Sequence, residues 1–263
     1  MAHVAGETSL DFLRSVAERA ALAGGEVVRR GSADTEAGTK SGPGDYVTDV
    51  DRDSERAIGE VLVTAAPEIP MLGEEEGGRP GERYWVVDPL DGTTNFAHGF
   101  PAFCVSIGLE AEGRIVLGVV YDPLRQELFE AEAGKGAFLN GERIHVSKAA
   151  TLDKALVVTG FAYDQAGRQS NLTHFSRFAL RAQGLRRTGS AAIDLCYAAA
   201  GRVDGFWELY LHPWDVAAGS LIVTEAGGRI TDFAGKAFSI YGKETLASNG
   251  LVHQAMLEVL AEN

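Results

Sequence analysis

The sequence predicts an α+β fold, in which an antiparallel sheet and helices occupy separate stretches of the chain. Three β-rich segments, residues 103–109, 115–121 and 127–131, follow one another with only short connections. Asn140-Gly141 then marks a two-residue hairpin turn. Apolar residues at helical spacing precede this meander in residues 9–30, so strand and helix do not simply alternate as in a parallel α/β fold.

The first predicted helix covers residues 9–30, and Ser9 stands where it can cap the first turn. A Gly-Gly pair in its last third is expected to interrupt it, because glycine is a poor helix former. Residues 31–44 are rich in Gly, Ser, Thr and Pro and predict a loop, which contains Lys40.

Two acidic segments follow the loop. Asp51 precedes an apolar-periodic stretch at residues 57–62, so capping of a helix is one explanation for it. The alternating Asp49, Asp51 and Asp53 lack the glycine and glutamate of a calcium-binding EF-hand loop, which excludes that motif. Glu74 lies in a Gly-Glu-Glu-Glu-Gly-Gly run. One interpretation of this run is a solvated acidic loop. The other is a loop whose flanking glycines allow a carboxylate to approach the end of a neighbouring strand closely.

The strongest candidate for a functional site is the segment at residues 85–96, Trp-Val-Val-Asp-Pro-Leu-Asp-Gly-Thr-Thr-Asn-Phe. A buried strand leads to Asp88 and is expected to stop at Pro89, which has no N–H to donate. Gly92 permits a tight bend, and the Thr-Thr-Asn run after it is typical of a helix start. Carboxylates bind hard cations and N–H groups at a helix start bind phosphate, so this corner predicts a metal-assisted phosphate site. A solvated turn is the alternative for Asp88 and Asp91 taken alone.

The chain is expected to divide into an N-terminal α+β half, residues 1–148, and a C-terminal α/β half, residues 149–263. The second half predicts a strand at 155–159, a helix at 171–183 ended by Gly184, a helix at 191–200 capped by Ser190, and a strand at 206–210. Trp214 then opens an apolar helix with Asp215 in its first turn, where the helix dipole favours a carboxylate. Because this helix has little polar surface, we expect Asp215 to be buried and to need a partner such as a metal ion.

Composition disfavours several classes of protein. The chain has 263 residues, of which 45% are hydrophobic, as is ordinary for a globular protein. Its formal net charge of −13 disfavours a nucleic-acid binder. We expect a cytoplasmic protein without a membrane partner, because the sequence shows neither a bilayer-spanning apolar run nor a secretion signal. Cys104 and Cys196 lie in apolar contexts and predict reduced, buried thiols.

Two segments resemble the signatures of the inositol monophosphatase family. Residues 85–96 match the first signature almost completely, and residues 214–228, Trp-Asp-Val-Ala-Ala-Gly-Ser-Leu-Ile-Val-Thr-Glu-Ala-Gly-Gly, match the second. Gly-Glu-Glu at 73–75 and Asp-Tyr-Val-Thr at 45–48 stand where the family has two further elements. The resemblance covers nearly the whole chain. It implies a layered α/β/α/β/α sandwich and magnesium-dependent hydrolysis of phosphate monoesters by a lithium-sensitive homodimer.

The resemblance also implies roles for single residues. The implied ligands of two or three Mg²⁺ ions are the side chains of Glu74, Asp88, Asp91 and Asp215 and the carbonyl group of Leu90. Asp51 and Thr93, together with Glu74, match the residues that activate the attacking water. Gly92, Thr93 and Thr94 match the phosphate cradle, and Lys40 matches a loop lysine near the third metal.

The resemblance indicates the substrate less directly than it indicates the metal ligands. Glu208 matches the position at which the family places a Glu on the inositol hydroxyls, and a surface Glu at a strand end is the alternative. Gly189, Ser190 and Ala191 match backbone contacts to substrate, and Asp194 stands where it can also face the sugar. We rank myo-inositol monophosphate first, followed by fructose 1,6-bisphosphate, histidinol phosphate and nucleotide 3′-phosphates. A regulatory partner of RNA-processing or transcription machinery is the alternative of another class.

Overall fold

The structure of the chain is a computed structural model that describes residues 8–31, 38–39, 46–162 and 165–262. The helices are α1 (Leu10–Arg30), α2 (Asp49–Ala65), α3 (Thr93–Ala97), α4 (Gln165–Ala179), α5 (Ala191–Ala199), α6 (Pro213–Glu225) and α7 (His253–Leu260). The strands are β1 (Gly38–Thr39), β2 (Tyr46–Val47), β3 (Met71–Gly73), β4 (Arg83–Asp91), β5 (Cys104–Ala111), β6 (Arg114–Asp122), β7 (Glu127–Glu132), β8 (Gly136–Leu139), β9 (Glu142–Arg143), β10 (Leu156–Thr159), β11 (Gly184–Arg186), β12 (Gly205–Leu209), β13 (Arg229–Thr231) and β14 (Glu244–Ser248). A short 3-10 helix covers Leu152–Lys154.

The larger elements stack in five layers, which confirms the predicted α/β/α/β/α sandwich. α1 and α2 pack on the outer face of a seven-stranded sheet. α5 and α6 lie between this sheet and a five-stranded sheet, whose other face is covered by α4 and α7. Three clusters of apolar side chains fill the spaces between the layers, and one of them lies on both sides of the central helices, which are therefore buried.

The seven-stranded sheet has the order β3-β4-β5-β6-β7-β8-β9 and is antiparallel except for the parallel pair β3 and β4. This confirms the predicted meander. Asn140 and Gly141 both have positive φ, 49° and 81°, as the two-residue hairpin turn requires. The five-stranded sheet has the order β11-β10-β12-β14-β13, with β10 parallel to both of its neighbours.

Gly24 and Gly25 do not interrupt α1, contrary to the expectation from helix propensity. A Cβ at Gly24 would lie 2.7 Å from the side chain of Ile58 on α2, and a Cβ at Gly25 would collide with Tyr121 on β6. Glycine thus lets α1 approach both neighbours closely. The packing that results outweighs the penalty of about 1 kcal/mol for each glycine in a helix.

Three predicted boundaries differ from the structure, two of them because strand pairing overrode a local signal. The fourth helix ends at Ala179, and Gly184 begins β11, where it pairs in parallel with Leu156 instead of capping the helix. α2 begins at Asp49 with Thr48 as its N-cap, so Asp51 lies inside the first turn. β4 does not stop at the proline but continues to Asp91.

None of the helices in the described part of the chain has the length and apolar content that a bilayer crossing needs. Cys104 and Cys196 are buried free thiols, as predicted.

Candidate active site

Asp88 and Asp91 lie at the end of β4, where the strand carries an irregular pairing. Asp88 pairs with Ser106 and Asp91 pairs with Cys104, so three steps along β4 match two steps along β5. Side chains three residues apart on a regular strand point to opposite faces. The extra residue acts as a bulge, which allows both carboxylates to reach the same side of the sheet. Pro89, which donates no hydrogen bond, sits inside this bulge.

Asp215 reaches the same point from the first turn of α6. Its Oδ2 accepts a 2.7 Å hydrogen bond from the backbone N–H of His212, which fixes the side chain at the helix start. One carboxylate oxygen from each of Asp88, Asp91 and Asp215 lies within 4.8 Å of the others. Asp88 and Asp91 are buried, whereas Asp215 is half-buried rather than buried as predicted, because it faces the cavity described below.

The three carboxylates are not neutralised by an ion pair within the described part of the chain. In the described residues, no Lys or Arg forms an ion pair with any of the three. Burial and then the charge of Glu74 raise the pKa of Asp88 well above its usual range. Burial and then the charge of Asp91 do the same to the pKa of Asp215. Oxygen donors of this kind around a small space fit Mg²⁺, which the charge imbalance also favours.

Asp91 is held by the start of α5. Its Oδ2 accepts hydrogen bonds from the Ser190 hydroxyl at 2.6 Å and from the backbone N–H of Ala192 at 2.7 Å. Burial raises the pKa of Asp91, and these hydrogen bonds oppose the shift. Ser190 occupies the predicted cap position, but its side chain makes no capping bond to the helix. It instead fixes one Asp91 oxygen and leaves the other for a cation.

The half-buried Thr93 and the buried Asp51 form a pair behind the carboxylates. The Thr93 hydroxyl lies 2.9 Å from Asp51 Oδ1 and 3.1 Å from the Leu90 carbonyl oxygen, and it can donate to either. Asp51 Oδ2 accepts from the backbone N–H and the hydroxyl of Thr48, at 2.7 and 2.6 Å. Asp51 is therefore both part of the capping box of α2 and the acceptor that orients Thr93.

A cavity of about 400 Å³ opens in front of these groups. The predicted site residues that line it are Glu74, Asp88, Leu90, Asp91, Gly92, Thr93, Gly189, Ser190, Ala191, Glu208 and Asp215. Of the other predicted site residues, Asp51 lies behind Thr93, and neither Thr94 nor Asp194 is part of the lining. Lys40 lies outside the described residues.

Asp194 is buried beside the cavity. Its Oδ1 accepts a 2.6 Å hydrogen bond from the Thr188 hydroxyl, and its Oδ2 has no partner in the described residues. Burial raises the pKa of Asp194 well above its usual range. This carboxyl group therefore supports the turn that precedes Gly189, and the structure does not place it in the cavity wall as expected.

Sequence reasoning missed several residues of the cavity wall. Arg187 is the one cation in the described lining, and it could have been noticed as a basic residue just before the Gly-Ser motif. Phe161, Tyr210 and Trp214 give the opposite wall an aromatic character. Tyr210 has φ of 63°, a left-handed conformation that nothing in the sequence signals.

The layering of the fold and the converging carboxylates together define a metal-dependent phosphatase. A family model described as the inositol monophosphatase family matches residues 9–263. The chain therefore belongs to the inositol monophosphatase family.

Individual relatives agree with this assignment. The chain is 43% identical over 254 residues to an inositol-1-monophosphatase of Synechocystis sp., covering 95% of this chain and 88% of the relative. It is also 43% identical over 256 residues to the Nus factor SuhB of Pseudomonas aeruginosa, covering 94% of each chain. The solved inositol monophosphatase of Anabaena superposes with a TM-score of 0.88 at 42% identity, over 96% of each chain.

Proposed function

We propose that this chain hydrolyses phosphate monoesters with the help of Mg²⁺, and that myo-inositol monophosphate is its preferred substrate. The observation that carries the proposal is the convergence of Asp88, Asp91 and Asp215 at one end of a cavity with Glu208 in its wall. Family membership and the relative from Synechocystis support the choice of substrate. Fructose 1,6-bisphosphate, histidinol phosphate and nucleotide 3′-phosphates follow as alternatives.

The residues that would hold two or three Mg²⁺ ions are the carboxylates of Glu74, Asp88, Asp91 and Asp215 and the carbonyl group of Leu90. When bound, the metal supplies charge neutralisation for the phosphate oxygens and lowers the pKa of water at the site. The Ser190 and Ala192 donors restrict Asp91 to a single free oxygen, and Leu90 N–H donates to Asp88 Oδ1 at 3.0 Å. Both contacts preorganise the ligands before a cation arrives.

The attacking water is oriented by Thr93 and Glu74. When the Thr93 hydroxyl donates its hydrogen to Asp51, the lone pairs of the Thr93 oxygen remain free to accept a hydrogen bond from a water molecule. The half-buried Glu74 carboxylate accepts the second hydrogen of that water and serves as its general base. The water oxygen bonds to phosphorus as the ester P–O bond on the opposite side breaks, and the released alkoxide takes a proton from solvent, so no covalent phosphoenzyme forms.

The phosphate and the alcohol occupy different walls of the cavity. The backbone N–H groups of Gly92 and Thr93, with Thr94 behind them, face the phosphate. Glu208 is buried next to the Gly160 backbone and accepts hydrogen bonds from hydroxyl groups of a polyol. The backbone at Gly189 to Ala191 borders the same space.

Phosphate release from a panel of esters at fixed magnesium, with and without a chelator, tests the proposal. Asp91→Asn is expected to lower kcat/KM by about a hundredfold or more, because a metal ligand loses its charge. Asp122→Asn is the matched control, since Asp122 is equally buried but lies outside the cavity, where it accepts from Leu124 and Arg125. Turnover of Asp91→Asn at the wild-type level would show that Asp91 is not a metal ligand.

A second candidate function is regulation of transcription or RNA processing, which the relative named Nus factor SuhB supports. Asp91→Asn separates the two functions, because a purely regulatory protein has no need of a metal ligand. If magnesium-dependent phosphate release is absent from the wild type for every ester, the regulatory function is favoured.

We further propose that the enzyme is a cytoplasmic homodimer and that lithium inhibits it, as the family resemblance implies. Sedimentation velocity is expected to show a dimer, and lithium is expected to slow phosphate release. A monomer at assay concentrations would contradict the proposed dimer, and turnover that lithium does not change would contradict the proposed inhibition.

A further inference from the structure

A buried glutamate lies directly beneath the loop that carries Glu74. Glu55, in the second turn of α2, is 0% exposed. Its Oε2 accepts a hydrogen bond from the backbone N–H of Glu75 and its Oε1 accepts one from the backbone N–H of Glu76, both at 2.8 Å. Each carboxylate oxygen thus binds one of the two amides that follow Glu74.

The burial of this carboxylate is not explained by a charged partner among the residues that the structure describes. In the described part of the chain, no Lys or Arg forms an ion pair with Glu55. Burial of a carboxylate is unfavourable unless hydrogen bonds replace its water, and here the amides of Glu75 and Glu76 do so. The hydrogen bonds in turn consume two backbone donors in a loop that has no helix or sheet partner for them.

The loop is shaped around this contact. A Cβ at Gly73 would overlap the Glu55 carboxylate, so any other residue at that position would displace the carboxylate from its present place. Gly73 N–H donates to the Gly77 carbonyl at 2.8 Å, which closes the turn, and Glu74 N–H donates to Val87 on β4 at 3.2 Å. Glu55 therefore supplies the third anchor of the loop, on the side away from the sheet.

The same helix also positions Thr93. Asp51 precedes Glu55 by four residues, so the two carboxylates project from one face of α2. Asp51 binds the Thr93 hydroxyl, and Glu55 binds the loop that carries Glu74. One rigid element therefore fixes the distance between the two groups that the proposed mechanism assigns to the attacking water.

We propose that Glu55 is a positioning residue that sets the Glu74 carboxylate in the metal site by holding the amides of Glu75 and Glu76. This inference rests on the proposed function of the cavity. It extends that function to a residue that touches neither metal nor substrate. Loss of the clamp leaves Glu74 on a loop with two anchors, which weakens magnesium binding and misplaces the base.

Glu55→Gln tests the clamp with little change in shape. The amide can accept from one backbone N–H, but its NH₂ group then faces the other N–H, so one hydrogen bond is lost. We expect magnesium affinity, measured by calorimetry without substrate, to fall by about tenfold. The magnesium concentration for half-maximal phosphate release should rise by the same factor. Glu60→Gln is the control, because it removes the same charge from an exposed position on the same helix.

Amide exchange by NMR in the wild type gives a second, direct test. The N–H groups of Glu75 and Glu76 should be protected in the metal-free protein, and in Glu55→Gln at least one should exchange faster while α2 keeps its protection. The wild-type part of this measurement tests the clamp even if the variant folds poorly. Free exchange of both amides in the wild type, or wild-type magnesium affinity in Glu55→Gln, would overturn the proposal. If the wild type binds no magnesium and releases no phosphate while both amides are protected, the proposed function fails and the clamp remains only as a structural contact.

Discussion

Removal of one carboxylate from the acidic cluster should make the metal-free protein more stable. We choose Asp88→Asn, because asparagine retains the shape of the side chain and an oxygen that can accept from Leu90 N–H. Asp88 is 1% exposed and has two other carboxylates within 4.8 Å of its nearest oxygen. The substitution therefore removes repulsion without creating a cavity or an unpaired backbone donor.

The size of the effect follows from Coulomb's law. The carboxylate oxygens lie within 4.8 Å of one another, and two unit charges at that separation repel by about 3.5 kcal/mol at an effective dielectric constant of about 20. The cluster relieves part of the repulsion by taking up a proton, so the gain is expected to be smaller than the full repulsion between its charges. We expect the free energy of unfolding of Asp88→Asn, measured with a chelator at neutral pH, to exceed that of the wild type by about 1–3 kcal/mol.

The gain should depend on pH in a definite direction. Burial and the charge of Glu74 raise the pKa of Asp88 in the folded state above its unfolded value, so the fold favours the protonated form. The stability that protonation contributes is complete below the unfolded pKa of about 3.9 and is lost as pH rises through the folded pKa. Because asparagine does not titrate, the difference between variant and wild type should widen as pH rises from the unfolded pKa of Asp88 through its higher folded pKa.

Urea denaturation followed by circular dichroism measures the gain in free energy of unfolding and its dependence on pH. Glu60→Gln is the control for loss of one exposed charge. Excess magnesium should then narrow the difference, because it stabilises the wild type by about 2.7 kcal/mol at a hundred times its dissociation constant and the variant by less. If metal-free Asp88→Asn is less stable than the wild type at neutral pH, or if the difference does not change with pH, the cluster does not store repulsion and the reasoning is wrong.

Three further substitutions probe other parts of the site. Gly92→Ala should lower the free energy of unfolding by about 1–2 kcal/mol, because φ is 97° and the new Cβ would lie 2.8 Å from the Ala102 carbonyl oxygen; an unchanged urea midpoint would contradict this. Ser190→Ala should lower it by about 1.5–3 kcal/mol through loss of a donor to buried Asp91, and should raise the magnesium requirement in the phosphate-release assay. An unaltered magnesium requirement would show that Ser190 does not orient that ligand. Glu208→Ala should reduce discrimination among polyol phosphates, so an unchanged ranking of kcat/KM across the ester panel would remove Glu208 from substrate recognition.

The sequence was sufficient to identify the three carboxylates of the acidic cluster. Asp88, Asp91 and Asp215 could be identified as converging carboxylates because their segments have strong turn and helix-start signals and match known signatures. Their exact arrangement could not be predicted, because it depends on the bulge in β4. A proline normally ends a strand, and only the pairing of Asp91 with Cys104 on the far side of Pro89 shows that the strand continues.

Residues that act through long-range contacts were the ones that sequence reasoning misjudged or missed. Ser190 was predicted as a helix cap, but its hydroxyl binds a carboxylate 99 positions earlier in the chain. Glu55 stands in the middle of an amphipathic helix, where a glutamate usually faces solvent, and only the position of the 73–77 loop explains its burial. Tyr210 adopts its positive φ at the end of β12, where local sequence gives no warning.

The central helix α6 explains why the repulsion in the cluster does not simply relax. Its residues from Val216 to Val223 are all buried, and it packs against strands of both sheets. Asp215 lies in the first turn of this helix and accepts a hydrogen bond from His212 N–H, so its carboxylate can move far from Asp88 only if that hydrogen bond breaks or the helix leaves its place between the layers. Such a movement would expose apolar surface at about 25 cal/mol for each Å², which soon exceeds the repulsion of one charge pair. The packing of the middle layer therefore holds the carboxylates together in advance, and the cation that binds there gains the repulsion energy that it relieves.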